Sequence, residues 1–155
     1  LEKTNMQTDF ICKHFNELTT TELYSILKLR MEVFAIEQQC AYQDCDDRDL
    51  QCHHLLGMQD GELVAYSRLL SKGLAYDDYC AIGRVLTKST VRGQRIGKEL
   101  MERSIALCKE MFNEKIKIGA QSYLEKFYTD LGFESTGHYY LEDEIPHMSM
   151  VYKQE

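Results

Sequence analysis

The stretch STVRGQRIGKELM, residues 89–101, sets three basic side chains, Arg92, Arg95 and Lys98, and two glycines, Gly93 and Gly97, where a helical pattern begins. A helix N-terminus leaves about four backbone N–H groups without intrahelical acceptors and carries roughly half a positive charge from its aligned peptide dipoles. Such a terminus attracts anions, and a glycine there lets a phosphate approach the main chain with no Cβ in the way. Residues 84–103 carry Arg84, Lys88, Arg92, Arg95, Lys98 and Arg103 against Glu99 and Glu102, a local positive excess in a chain of net charge -7. The pattern suits a pyrophosphate; the simpler alternative is an ordinary helix start with a solvated basic rim. A nucleoside-triphosphate P-loop does not fit, because Gly97-Lys98 is followed by Glu99 and Gly93 stands one residue too close. The dinucleotide fingerprint G-x-G-x-x-G is also missing.

Other residues could handle protons or charge. Glu37 at the end of the first helix, His54 opening a strand and His147 opening the last strand are candidate bases, acting directly or through water. Tyr128 shares helical spacing with Leu124, Phe127 and Leu131, which by itself is a core pattern. In YQDCDDRD, Asp44, Asp46, Asp47 and Asp49 could bind a metal, attract a cationic amine, or cap and solvate a loop. The segment lacks the glycine and distal glutamate of an EF-hand loop. Cys45, Cys52, His53 and His54 match no standard zinc spacing, and Cys40 and Cys80 have no recognisable Cys-His pairing, so no metal and no covalent cysteine route is expected. Arg68 and Arg84 fall inside strands, where a charge must be paired or face a cleft.

The elements that position these residues follow from pattern. DFICKHF reads as a first strand, and Thr19 with Glu22 as a capping box for a helix with apolar positions Leu23, Ile26, Leu27, Met31 and Phe34, ending near Phe34. Residues 35–52 show no period and read as a long loop. HHLLGMQ and ELVAYSRLL, separated by Asp60-Gly61, form a hairpin, and YCAIGRVLT adds a third strand. From Ile96 the pattern turns helical, with Ile96, Leu100, Leu107 and Met111 in one row. EKIKIGAQ is a strand, and Ser122 with Glu125 reads as a second capping box for YLEKFYTDL, stopped by Gly132. STGHYYLED and HMSMVYK close the chain as two strands. The order β-α-βββ-α-β-α-ββ implies an α/β (α+β) fold: a mixed, largely antiparallel sheet of six to seven strands flanked by helices. With no linker or repeat, residues 1–155 are expected to form a single domain.

RVLTKSTVRGQRIGKELM resembles the acyl-CoA signature of the GNAT superfamily, R/Q-x-x-G-x-G/A, with Arg92 first and Gly97 last. Arg95 stands where that family prefers glycine. AQSYLEKFYTDLGF resembles the family's second element, and VFAIEQQCAYQDCDDRD, HHLLG, IGRV and IPHMSM resemble its ElaA-like branch over roughly residues 22–150. The resemblance implies a GNAT fold and an N-acetyltransferase that uses acetyl-CoA, with the cosubstrate in the cleft where the IGRVLT and KIKIGAQ strands part. It implies that main-chain groups near Val85 and Leu86 pair with the pantetheine amides. Arg92, Gly93, Gln94, Arg95, Ile96, Gly97 and Lys98 would hold the pyrophosphate, and Gln121 and Phe127 complete the implied cofactor set. Tyr128 is then the implied general acid: a phenol of reference pKa near ~10 stays protonated at neutral pH and can donate to the departing sulfur. The alternatives are a non-catalytic acyl-CoA sensor or interaction module, and an unrelated α/β domain that binds nucleotide phosphate.

Composition sets the outer limits. A pI of about 5.3 argues against a general nucleic-acid or anionic-membrane binder. No apolar run is long enough for a membrane span, the first residues lack a signal-peptide pattern, and six cysteines without a C-x-x-C pair read as reduced thiols. A soluble, cytoplasmic protein with an amine-bearing substrate is expected, and an edge strand near the C-terminus could pair two copies as a homodimer.

Overall fold

The computed structural model describes residues 7–153; residues 1–6, part of the stretch that lacks a signal-peptide pattern, lie outside the described residues. The chain runs β1 (Asp9–His14), α1 (Thr20–Arg30), β2 (His53–Gln59), β3 (Glu62–Leu70), β4 (Cys80–Thr87), α2 (Ile96–Met111), β5 (Ile116–Gln121), α3 (Glu125–Asp130), β6 (Phe133–Glu142) and β7 (Ile145–Tyr152). The strands form a seven-stranded sheet in the order β1-β2-β3-β4-β5-β7-β6. β4 and β5 are parallel, while β1/β2, β5/β7 and β6/β7 are antiparallel. This is the mixed α+β order expected from the pattern.

Local chemistry explains most element ends. At the start of α1 the Thr19 hydroxyl accepts from the Glu22 N–H at 3.0 Å and the Glu22 carboxylate accepts from the Thr19 N–H at 2.8 Å, a closed capping box. The helix does not stop at Phe34 but continues as a wider π-helical segment, Met31–Glu37. Met31, expected in the core, is 61% exposed, and Arg30 is fully buried instead. The buried face is turned toward Arg30 because that guanidinium has carboxylate partners inside. The segment expected to be a loop over residues 35–52 contains the end of the π-helical segment and a 3-10 helix, Asp47–Gln51. The second capping box is also corrected. Ser122 lies inside a 3-10 turn, Ser122–Leu124, and α3 begins after Leu124 with no side-chain cap. Gly132 does end that helix, at φ 108, with its N–H donating to the Thr129 carbonyl at 3.0 Å.

Two hairpin turns use the same backbone by different means. Asp60 and Gly61 both have positive φ, 48 and 79, as a two-residue turn between antiparallel strands requires. Asp143 and Glu144 make the equivalent turn between β6 and β7 at φ 49 and 65 with no glycine. The strand expected over STGHYYLED therefore loses Asp143 to the turn, and it begins two residues earlier, at Phe133. Within β4, which runs unbroken over Cys80–Thr87, Arg84 has φ 49, a positive angle of the kind found at β-bulges. The ladder between β4 and β5 consists of Cys80 opposite Ile116 and Ala81 opposite Lys117, after which β5 pairs with β7 as far as Gln121 opposite His147.

The chain divides into two compact units, one comprising residues up to Arg68 together with Arg84–Leu100, the other Leu69–Gly83 together with the chain from Met101. In the first, Ile26, Leu29, Val33 and Phe34 from the first helix form a core with Leu56, Leu63, Tyr66 and Leu86. Each such side chain contributes about 1.5–3 kcal/mol when fully buried. In the second, Ile116, Ile118, Ala120, Met148 and Met150 are buried on β5 and β7, with Tyr128 and Phe133 from α3 and β6. The Tyr128 ring meets Phe133 edge-on at 5.9 Å, and Phe133 meets Tyr152 at 5.3 Å.

Candidate functional site

The first unit contains the turn that precedes α2. After β4 the chain makes a 3-10 turn, Ser89–Val91, then leaves Arg92, Gly93, Gln94 and Arg95 exposed before Ile96 and Leu100 bury as the first inward residues of the helix. The Glu99 N–H donates to the Arg95 carbonyl at 3.2 Å, and within the preceding turn the Gln94 N–H donates to the Val91 carbonyl at 3.4 Å. Gly93 has φ 89, an angle that favours glycine, and no protein atom lies within 4 Å of a Cβ built on it. Arg95 also lies in the left-handed region, at φ 63. That explains why a glycine suits this position and why arginine there is strained. Arg95→Gly is expected to raise stability by about 1 kcal/mol, a gain of roughly 2–4 °C in Tm; an unchanged or lower Tm in thermal unfolding would show that the position carries no strain.

Arg92 is held at both sides of one nitrogen. Its Nη2 donates to Glu37 Oε2 at 2.7 Å and to the Thr87 carbonyl at 3.0 Å. Glu37, a candidate base, is thus ion-paired to the first residue of the basic motif. Val85 is half-buried on β4, and the Leu86 side chain belongs to the core. Lys88 is ion-paired with Glu62.

The acidic segment caps a short helix, as one of the sequence readings has it: Asp46 and Asp49 form a capping box on the 3-10 helix Asp47–Gln51, with Asp47 exposed and Asp49 buried among arginines. Arg30 donates from Nε to Asp44 Oδ2 at 2.7 Å and from Nη1 to Asp49 Oδ1 at 2.8 Å. Arg68 grips Asp46 through both terminal nitrogens, at 2.6 and 2.9 Å, and shares Asp49 Oδ1 at 2.8 Å. Arg84 lies 2.8 Å from Asp44 Oδ1 and donates to the Asp44 carbonyl at 3.1 Å. The hydrogen bonds from Arg68 hold the Asp46 carboxyl down at about 2 despite partial burial. Burial pushes Asp49 up, but hydrogen bonds and attraction from Arg30 and Arg68 outweigh it and its pKa is lowered. Both groups are depressed in the folded state, so the stability they provide is present above about pH 4 and lost as pH falls toward 2. Acid unfolding followed by circular dichroism should show that loss; a Tm that is flat between pH 4 and 2 would contradict it. Among the described residues no group of three or more His, Cys, Asp and Glu side chains could hold a metal ion.

His54 belongs to the same interior. It is 1% exposed; its Nε2–H donates to the Asp49 carbonyl at 2.9 Å and its Nδ1 accepts from the Tyr66 hydroxyl at 2.6 Å. Burial lowers its pKa, so it is a neutral, fully bonded group.

The second unit holds the remaining candidates. Tyr128 is 6% exposed, its ring packed edge-on against Phe127 at 5.1 Å. Burial, with a smaller effect of Tyr123, pushes the phenol up to about 12. Gln121 ends β5 directly opposite His147 on β7. His147 donates from Nδ1 to the Ile145 carbonyl at 2.7 Å, and its Nε2 lies 3.5 Å from Glu142 Oε2. The Tyr140 ring stacks on it at 5.6 Å and 23°.

Arg30 and Tyr140 were not legible as partners of these groups. The signal for Arg30 is a lone arginine between Leu29 and Val33, inside an apolar stripe and followed by a run of aspartates. For Tyr140, within GHYYLED, no local pattern marks its contact with His147.

Comparison with known proteins agrees with this architecture. Residues 19–154 match the family model described as an acetyltransferase (GNAT) domain. The Escherichia coli K12 protein ElaA is 40% identical over 142 residues, which span 88% of this chain and 91% of that protein. The crystal structure of an acyl-CoA N-acyltransferase from Pseudomonas aeruginosa superposes with a TM-score of 0.89 at 41% identity, covering 95% of this chain and 100% of that one. The crystal structure of Escherichia coli ElaA superposes with a TM-score of 0.88 at 35% identity over the same shares.

Proposed function

Because this chain belongs to the GNAT acetyltransferase family, we propose that it transfers an acetyl group from acetyl-CoA directly to an amine, of a small molecule or a protein, in a ternary complex. The observation that carries this is the exposed turn Arg92–Arg95 leading into α2, with Gly93 and Arg95 both at positive φ, in the place of the acyl-CoA signature. Backbone N–H groups of residues 93–98 and the basic side chains Arg95 and Lys98 fit a pyrophosphate there. The main chain of β4 at Val85 and Leu86 would pair with the pantetheine amides. That a similar protein from Pseudomonas aeruginosa is an acyl-CoA N-acyltransferase supports the same cosubstrate class.

When bound, acetyl-CoA supplies an activated acetyl thioester. Tyr128 holds the proton that the departing thiolate sulfur takes: a phenol pushed up to about 12 is fully protonated at neutral pH. His147 receives the proton that the amine nitrogen gives up. Of the three candidate bases, Glu37 is engaged by Arg92 and His54 has both ring nitrogens bonded in the interior. His147 has its Nδ1–H fixed by a backbone carbonyl, which leaves the Nε2 lone pair as the acceptor. His147→Gln is expected to lower kcat/KM for the amine about 100-fold at pH 7, with a smaller deficit as the amine itself deprotonates at higher pH; an equal pH profile in variant and parent would remove His147 from the reaction.

We also propose one folding domain, since the division between the compact units falls within β3, β4 and α2. The cosubstrate assignment is tested by thermal unfolding with acetyl-CoA, CoA or ATP at matched concentrations. A ligand at about 100 times its Kd adds roughly 2.7 kcal/mol, a shift of several degrees for a chain of this size. A rise with acetyl-CoA and CoA and little with ATP is expected; a larger rise with ATP would favour a nucleotide-phosphate domain.

A further inference from the structure

Gly119 on β5 has no unusual backbone angle, yet a Cβ built on it would overlap the Tyr140 hydroxyl and lie 3.5 Å from the Tyr76 hydroxyl. It is glycine because a phenol occupies its side-chain space. Tyr140 stands directly opposite His147 across the β6/β7 ladder, and its ring stacks on His147 at 5.6 Å and on His138 at 5.3 Å, both at 23°. His147 is therefore held by the Ile145 carbonyl at Nδ1 and by the Tyr140 face, with Gln121 opposite it on β5.

We propose that Tyr140 is a positioning residue for His147, and that Gly119 is glycine so that Tyr140 can take that place. The proposal rests on the reading of His147 as proton acceptor. The physical need is plain. The Nε2 of His147 lies 3.5 Å from the largely exposed Glu142 carboxylate, which attracts the ring as soon as it is protonated. Nε2 already faces that carboxylate, at a separation longer than a good hydrogen bond; a ring without the stacked phenol would tilt to close the gap and present its lone pair poorly to an amine. A flat phenol against the ring face opposes that rotation. The charged and titratable groups around the pair are Glu142, Tyr140 and His138 from β6, with Tyr76 at the Tyr140 hydroxyl. On β5, Lys117 lies with its ammonium over the Tyr76 and Tyr79 rings at 4.8 and 5.4 Å.

The test is imidazole NMR on the full chain, labelled at histidine, as a function of pH in the parent and in Tyr140→Ala, Tyr140→Phe and Gly119→Ala. In the parent His147 should show the Nδ1–H tautomer alone. In Tyr140→Ala and Gly119→Ala the two tautomers should average, as the ring loses its stacked face. Tyr140→Phe, which keeps the stacked face, should restore the parental tautomer. The parental His147 tautomer in both Tyr140→Ala and Gly119→Ala would overturn the proposal. If Gly119→Ala does not fold, the Tyr140 pair decides alone. Because the tautomer is read without substrate, it is independent of the His147→Gln kinetics: parental turnover in that variant would defeat the assignment of the base, whatever the NMR shows for Tyr140.

Discussion

Tyr128→Phe is expected to lower kcat at least 100-fold while acetyl-CoA affinity stays within about twofold. The two halves of this expectation come from different features of the residue. The ring is 6% exposed and packs edge-on against Phe127 and Phe133, contacts that phenylalanine keeps, so the fold and the cosubstrate site should be unaffected. The hydroxyl is the only group removed. Its proton is stable in place, since burial and Tyr123 push the phenol up to about 12, and a group this basic imposes no alkaline limb on the rate near neutral pH. Steady-state kinetics with calorimetric acetyl-CoA binding checks both. Equal turnover in variant and parent would reduce Tyr128 to a core aromatic and require another donor for the sulfur.

Asp49→Asn should be the most destabilising single change of one atom type in the first unit, by about 3–5 kcal/mol, or roughly 10 °C in Tm. Asp49 Oδ1 accepts from Arg30 and Arg68 together, each at 2.8 Å, and those guanidiniums are 0% and 4% exposed. Removing its charge leaves two buried cations sharing Asp44 and Asp46. The cost is the desolvation of charge left uncompensated rather than the strength of one contact. Asp47, which has no part in these bonds, is the control: Asp47→Asn should stay within about 0.5 kcal/mol. Denaturant unfolding measures both, and similar midpoints for the two variants would show that the network is not what fixes residues 44–49.

Features set by near neighbours were legible in the sequence. The Thr19–Glu22 box, the Asp60-Gly61 turn and the period that opens at Ile96 each depend on residues within one or two turns of chain. The family's element order was legible for the same reason, since each element announces itself locally. What was not legible depends on distant partners. Arg30 meets Asp44 and Asp49 from 14 and 19 residues away, and only that pairing makes an arginine the inward residue where Met31 had been expected. Ser122 and Glu125 have the spacing of a capping box, but the chain enters α3 through a 3-10 turn that uses Ser122 otherwise. Asp143-Glu144 makes a glycine-type turn without glycine, so no turn signal marks the β6–β7 hairpin. At the candidate site, the exposed turn before α2 was readable from Gly93 and its basic neighbours. The partners of the candidate bases were not, because they depend on Arg92 meeting Glu37 across 55 residues and on the interior position of His54.

The most direct test of the central claim is release of the CoA thiol from acetyl-CoA across a broad panel of small and peptide amines, with acetylated product identified by mass. An N-acetyltransferase predicts at least one amine that is acetylated in step with thiol release, at a rate that His147→Gln and Tyr128→Phe both reduce. Tight acetyl-CoA binding with no thioester consumption above the blank for any amine would contradict catalysis and leave a protein that binds acyl-CoA without using it.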